Sequence, residues 1–159
     1  MHPNEQLIDD FYNAFAAKNY IAMTACYQPT ATFEDAVFTL KGKEVGAMWH
    51  MLSEGGSDLQ ATHGDVQADD ASGHAHWEAH YTFSGTGRKV HNIIEAQFQF
   101  QAGRIAAHHD HFNFWRWSSQ ALGPSGLLLG WTPFLHSKVR ATARARLDRF
   151  IQAHPQYQG

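Results

Sequence analysis

From Asp58 to Trp117 the apolar residues fall on every second position in four consecutive stretches, 58–69, 73–84, 88–101 and 104–117. A period of two sends neighbouring side chains to opposite faces of a strand, whereas a helix repeats near 3.6. The stretches are separated by "DDASG", "GTG" and "AG", short polar and glycine-bearing joints of the kind that turn antiparallel hairpins. The expectation is a four-strand antiparallel meander. Ahead of it the period is helical. Leu7, Ile8, Phe11 and Phe15 line one side of a helix from residue 4 to about 18, with Asn4 as N-cap. A short helix from Tyr20 to Tyr27 stops before Pro29, and "ATFEDAVF" is a short extended piece. "GKEVGAMWHMLSEGG" is a third helix, with Val45, Met48, Trp49 and Leu52 on one side and Gly55-Gly56 as its stop. Helices followed by strands give an α+β class, with the helices packed on one sheet face.

That alternation sorts the polar residues of "HHDHFNFWRW", 108–117. His108 and Asp110 share a face with Phe112 and Phe114, while His109 and His111 point the other way. On the preceding strands Asn92, Ile94, Ala96, Phe98 and Phe100, and Trp77, Ala79, Tyr81 and Phe83, make an apolar face for the helices. His76, Glu78, His80, His91, Glu95, Gln97 and Gln99 make a polar outer face. A carboxyl on the apolar face is disfavoured in its charged form unless it is paired. A contact between Asp110 and His108 meets that need, either as a satisfied polar spot beside the core or as a catalytic pair.

The outer His/Glu face raises the question of a metal, but ligands spread on a sheet rarely converge to tetrahedral geometry. No metal and no cofactor are expected, and no glycine-rich phosphate cradle is present. With 12 Lys and Arg against 15 Asp and Glu, the net charge of −3 argues against nucleic acid as a partner. Twelve histidines make the charge sensitive to pH. Cys26 is the single cysteine, and no apolar run approaches a membrane span. With a polar, acidic N-terminus, these features lead to the expectation of a cytoplasmic protein without a membrane partner. The 159 residues suit one domain. After Trp117 a glycine-rich apolar segment leads into a last helix, opened by Thr132-Pro133 and ending before Pro155. Its stripe is Leu135, Val139, Ala143, Leu147 and Phe150. Its other side carries Lys138, Arg140, Arg144, Arg146 and Arg149, which reads as a solvated face.

The order helix, helix, "TATFED", glycine-led helix, then a meander ending in "GRIAAHHDHFNF" resembles the nuclear transport factor 2-like superfamily, which includes ketosteroid isomerase and the SnoaL-like polyketide cyclases. The resemblance covers residues 5 to about 117 and implies one SnoaL-like domain over 1–159, with 118–155 as a C-terminal loop and helix. It implies a conical fold in which a strongly curved antiparallel sheet wraps around the N-terminal helices and leaves a deep apolar cavity. It places Asp35, within Glu34-Asp35-Ala36, where the isomerase keeps its general base. The isomerase's two oxyanion donors fall on Phe11, with Tyr12 one residue off, and on Ala96, so steroid isomerisation by that mechanism is not expected. It places Asp110 where SnoaL-like proteins carry an acid or base, with His108 beside it and Asp35 as a second carboxyl at the cavity mouth. Phe11, Phe15, Trp49, Trp77, Tyr81, Asn92 and Phe112 would hold an apolar small molecule. "GPSGLLLGW" would be a lid whose glycines allow movement. The resemblance further implies a homodimer through the outer sheet face. The function expected is acid/base chemistry of the isomerase, cyclase, dehydratase or hydrolase type; the alternative is a non-catalytic ligand-binding or dimerisation module. Epoxide hydrolysis would require an Asp-Arg-Asp set around a water, for which Arg116 is the candidate arginine.

Overall fold

The four alternating stretches form consecutive antiparallel strands in a computed structural model that describes residues 1–159: β3 (Gln60–Ala68), β4 (Ser72–Phe83), β5 (Arg88–Gln101) and β6 (Arg104–His111). The β5–β6 joint is a two-residue hairpin in which Ala102 and Gly103 both take positive φ, at 53° and 76°. That is the mirror-image turn whose twist suits paired strands. Asp69 holds the β3–β4 joint by accepting the N–H groups of Ala71 and Ser72, each at 2.8 Å.

Two further strands complete a curved, unclosed sheet of order β2-β1-β6-β5-β4-β3, with β1 at Tyr27–Glu34 and β2 at Thr39–Lys41. β1 runs parallel to β6, so the sheet is antiparallel everywhere except at this one pairing. The strand also starts earlier than the sequence suggested. Tyr27, expected to end the second helix, opens β1 instead, and α2 is confined to Tyr20–Ala25. Pro29 is accommodated where the β1–β6 register shifts, between Tyr27 and Thr32.

β6 ends at His111, short of the expected Trp117. The side chain of Asn113 accepts the N–H of Arg116 at 3.0 Å and caps helix α4 (Phe114–Leu122), so Phe112 and Phe114 do not continue the strand face. Helix α1 spans Pro3–Ala16, and its N-cap is His2 rather than Asn4. Pro3 fills the first helical position, where no N–H is needed, and His2 Nδ1 accepts the N–H of Asn4 at 3.0 Å. Asn4 is buried and donates to the carbonyl of Asp69 at 2.9 Å, tying the helix to the β3–β4 turn.

The core lies between the inner sheet face and α1 with α3 (Lys43–Gly55), where Phe11, Tyr12, Met48, Trp49, Ile94 and Phe98 are at most 2% exposed. Leu52 does not share that burial; it is 38% exposed, while His50 is 3% exposed. Helix α6 (Pro133–Ala153) packs along α3 and covers the side carrying His50, leaving the Leu52 side open. Thr132 caps α6 by accepting the N–H of Leu135, and Leu135 and Leu147 are buried beneath the helix. Arg144 pairs with Glu44 of α3, and both His136 and Arg140 donate to the carbonyl of Ala36. Between α4 and α6, the short helix α5 (Pro124–Leu129) lies on α4. Gly126 is a packing glycine there, since a Cβ would stand 1.8 Å from the carbonyl of Ser118. Leu127, Leu128, Trp131 and Phe134 are left exposed. No helix is long and apolar enough to cross a membrane.

Candidate active site

The inward parity of β6 places His108 and Asp110 in the interior, at 2% and 3% exposure, and turns His109 and His111 outward, where their rings stack at 3.9 Å. Asp110 sits opposite Ala96 on β5, and His108 opposite Phe98 on β5 and Phe33 on β1. The rings of Phe11, Phe33, Trp49 and Phe98 enclose the imidazole at centroid distances of 4.4 to 6.3 Å.

Four hydrogen bonds link the polar atoms of this interior. Trp49 Nε1–H donates to Tyr27 Oη at 3.0 Å; Tyr27 Oη lies 2.7 Å from His108 Nδ1; His108 Nε2 lies 2.8 Å from Asp110 Oδ1; and Trp77 Nε1–H reaches the same oxygen at 3.4 Å. Because an indole can only donate, the Tyr27 oxygen accepts from Trp49 and its own hydrogen is free to go to Nδ1. Nε2 then carries the hydrogen that meets Asp110. Burial holds the Tyr27 hydroxyl far above its usual pKa, which keeps that hydrogen in place. The arrangement is a donor chain ending on a carboxyl: both imidazole nitrogens are engaged, the tautomer is fixed, and Asp110 is the terminal acceptor.

Tyr12, one residue beyond the position the resemblance marked, is the residue that sequence reasoning passed over. It is 2% exposed, its ring lies 5.7 Å from that of Trp77, and its hydroxyl has no hydrogen-bond partner. Burial, then the nearby charge of Asp110, raise its pKa well above 10. Its hydroxyl is therefore an unused donor in the interior, in the layer that holds Trp77 and Phe98.

Asp35 stands at the β1–β2 corner, where its Oδ1 accepts the N–H groups of Val37 and Phe38, both at 2.7 Å. Burial pushes its pKa up to about 6 against the pull of those two N–H groups; Asp110 raises it further and His108 lowers it. Asp35 thus feels the charge of the pair. Tyr81 and Phe112 are half-buried on this side, as is Asn92, and Tyr81 Oη accepts from Trp117 Nε1–H at 2.8 Å. The C-terminal segment therefore closes this end: α4 supplies Trp117 and α6 binds the corner beside Asp35.

The expected wall residues divide into two groups. Phe11, Phe15, Trp49 and Trp77 meet one another at 5.0 to 6.3 Å. They fill the interior around the pair instead of lining an open hollow. A concavity of about 890 Å³ lies across the outer sheet face, where Glu34, His74, Gln97 and His109 line it. Arg116 is on α4, its Nη2 on the carbonyl of His91 at 3.3 Å, and it forms no ion pair with Asp110. The Asp-Arg-Asp set is not assembled.

On the outer face Glu95 takes His74 and His76, and Glu78 takes His76 and His91. Hydrogen bonds to Glu78 and then Glu95 raise the His76 pKa, and the two glutamates are lowered in turn. Glu78, His80 and His91 could each offer a ligand atom within 4.8 Å of the others, but both Glu78 oxygens already hold imidazoles.

A model of the SnoaL-like domain matches residues 8–108. Solved structures with the same fold include an epoxide hydrolase of M. tuberculosis described as LEH-like, at 16% identity and a TM-score of 0.63, covering 79% of this chain and 92% of that one. A candidate polyketide cyclase from Pseudomonas putida matches at 19% identity and TM-score 0.62, covering 76% and 98%. An NTF2-like protein of unknown function from Burkholderia pseudomallei matches at 15% and 0.61, covering 71% and 92%. No curated protein matches the sequence.

Proposed function

Because the chain belongs to the SnoaL-like domain family, we propose that it is a small-molecule enzyme doing acid/base chemistry on an apolar ligand. Asp110 and His108 are its proton-transferring pair, Asp35 is a second acid, and the Tyr12 hydroxyl is a donor for developing negative charge. The buried Tyr27–His108–Asp110 chain carries this reading, because it holds an imidazole in one tautomer inside an apolar interior. Proton removal next to a carbonyl, as a cyclisation or isomerisation requires, fits these groups better than epoxide hydrolysis, for which no arginine meets Asp110. Access for a ligand requires the α4–α6 segment and the Asp35 corner to part and the packed rings of Phe15, Trp49 and Trp77 to give way, since these fill the interior around the pair.

The test needs no native substrate. An apolar 1,3-diketone in D₂O, followed by proton NMR, reports proton abstraction directly. The wild type should exchange the diketone's central protons faster than buffer does. Asp110→Asn should lower that rate by roughly 10²- to 10⁴-fold while keeping the fold. Equal rates in both would remove Asp110 from the mechanism.

The packed interior favours one other reading, a non-catalytic module that dimerises through the outer sheet face. Its histidine–glutamate belt would make the dimer sensitive to acid. Sedimentation giving a dimer at pH 8 that weakens at pH 5.5, with no catalysed exchange, is the result it requires.

A further inference from the structure

On the side of α3 that faces the C-terminus, one residue past the inward-facing Trp49, His50, Glu54 and His154 converge so that one ligand atom from each lies within 4.8 Å of the others. His50 and Glu54 are one helical turn apart and share a face, and His50 Nε2 is 2.7 Å from Glu54 Oε1. His154 follows the last residue of α6 and arrives from about 100 positions away.

Each imidazole is held by its other nitrogen. His50 Nδ1 meets Tyr157 Oη at 2.8 Å, and His154 Nδ1 donates to the carbonyl of Phe150 at 2.7 Å. The carbonyl fixes the His154 tautomer that leaves Nε2 as the ligand, while Tyr157 Oη, which can donate or accept, is placed to receive a hydrogen from His50 Nδ1 when His50 Nε2 takes an ion. The His50 ring is 3% exposed, stacked on Tyr20 at 3.6 Å and edged by Phe150 at 4.9 Å, so it cannot swing away. Both rings are thus held in place through Nδ1, with their Nε2 atoms turned toward Glu54 or free to turn there.

We propose that His50, Glu54 and His154 bind a divalent transition-metal ion of the zinc type, and so fasten the end of α6 to α3. Two imidazoles and one carboxylate suit a borderline cation and disfavour Mg²⁺ and Ca²⁺, which select oxygen ligands. Glu54 is 56% exposed by its side chain, so a fourth position stays open to water. Arg146 and Arg149 line the adjoining concavity with Glu54, but both are exposed, and solvent screens their repulsion of a cation. Loading the site breaks the His50 Nε2–Glu54 hydrogen bond: the Nε2 hydrogen leaves and one is taken up at Nδ1, which then donates to Tyr157 Oη, so the imidazole stays neutral.

Untagged protein stripped with chelator and titrated with Co²⁺ gives a visible absorption that reports the geometry. One Co²⁺ per chain should bind, Zn²⁺ should displace it, and Mg²⁺ should not. Glu54→Gln and His154→Gln should each weaken binding by at least about 10²-fold. Tyr157→Phe, which removes only an outer partner, should weaken it by roughly 10- to 100-fold. Glu54 is on the surface, so its variant keeps the fold, and circular dichroism checks all three. His80→Gln, in the outer-face cluster, should change nothing. Absence of binding by the wild type at millimolar Co²⁺, unchanged affinity in Glu54→Gln, or loss on His80→Gln would each overturn the assignment.

Discussion

Replacing Asp35 with asparagine should stabilise the protein, but only above mild acid. The asparagine oxygen can still accept the N–H groups of Val37 and Phe38, so the corner keeps its shape while the ionisable group is lost. An aspartate that titrates at 3.8 in the open chain and at about 6 in the folded protein is harder to ionise after folding. That difference corresponds to at most about 3 kcal/mol. The sign follows from the direction of the shift. Between pH 3.8 and about 6 the folded state holds a proton that the unfolded state has released, so wild-type stability falls as pH rises through this window. Below it the carboxyl is neutral in both states, and the substitution should have little effect. Urea unfolding of both proteins at pH 3.5, 5 and 8 should therefore give a difference near zero, then intermediate, then up to about 3 kcal/mol in favour of asparagine. Comparing the two proteins at each pH cancels the contribution of the histidines and surface carboxylates. A difference that does not change with pH would mean that Asp35 is not desolvated, and would remove it as a second acid.

Tyr27→Phe should destabilise by about 2–4 kcal/mol in denaturant, because it leaves Trp49 Nε1–H and His108 Nδ1 buried without a partner; a loss below about 1 kcal/mol would show that water enters the interior. Glu78→Gln should lower the His76 pKa towards 6.5, read from the imidazole protons by NMR, since Glu78 is the larger of its two supports. The belt stabilises most between pH 4.5 and 6.5, where the lowered glutamates are ionised and the raised His76 is protonated. That contribution is lost as pH climbs through the folded value of His76, so the Glu78→Gln stability deficit should shrink at pH 8.5.

The period of two was enough to place His108 and Asp110 inside and His109 and His111 outside, since strand parity depends only on local order. It could not show where β6 stops, because Asn113 competes for the backbone and wins by capping α4. Nor could it show that β1 lies parallel to β6, since that pairing joins residues about 75 positions apart, such as Phe33 and His108. The Asp110–His108 contact was legible because its members are two residues apart on one face. Its continuation to Tyr27 and Trp49 was not, since those side chains come from the first strand and the third helix. The same distance hid the meeting of His50 and Glu54 with His154. Tyr12 was passed over because the expected donor position fell on Phe11, and only packing shows that the Tyr12 hydroxyl is buried without a partner.

The strand order β2-β1-β6-β5-β4-β3 has a consequence for how the chain must assemble. β1 leaves the ribosome early, but its partner on one side is the last strand made. Until Arg104–His111 arrives, one flank of β1 and one flank of β5 remain unsatisfied, with backbone donors and acceptors open to any passing extended chain. The hairpins from β3 to β5 can zip as they emerge, whereas closure onto β1 waits for a contact of long sequence separation. Nascent chains halted before residue 104 should therefore be the most prone to self-association, and that interval is where a chaperone would be needed.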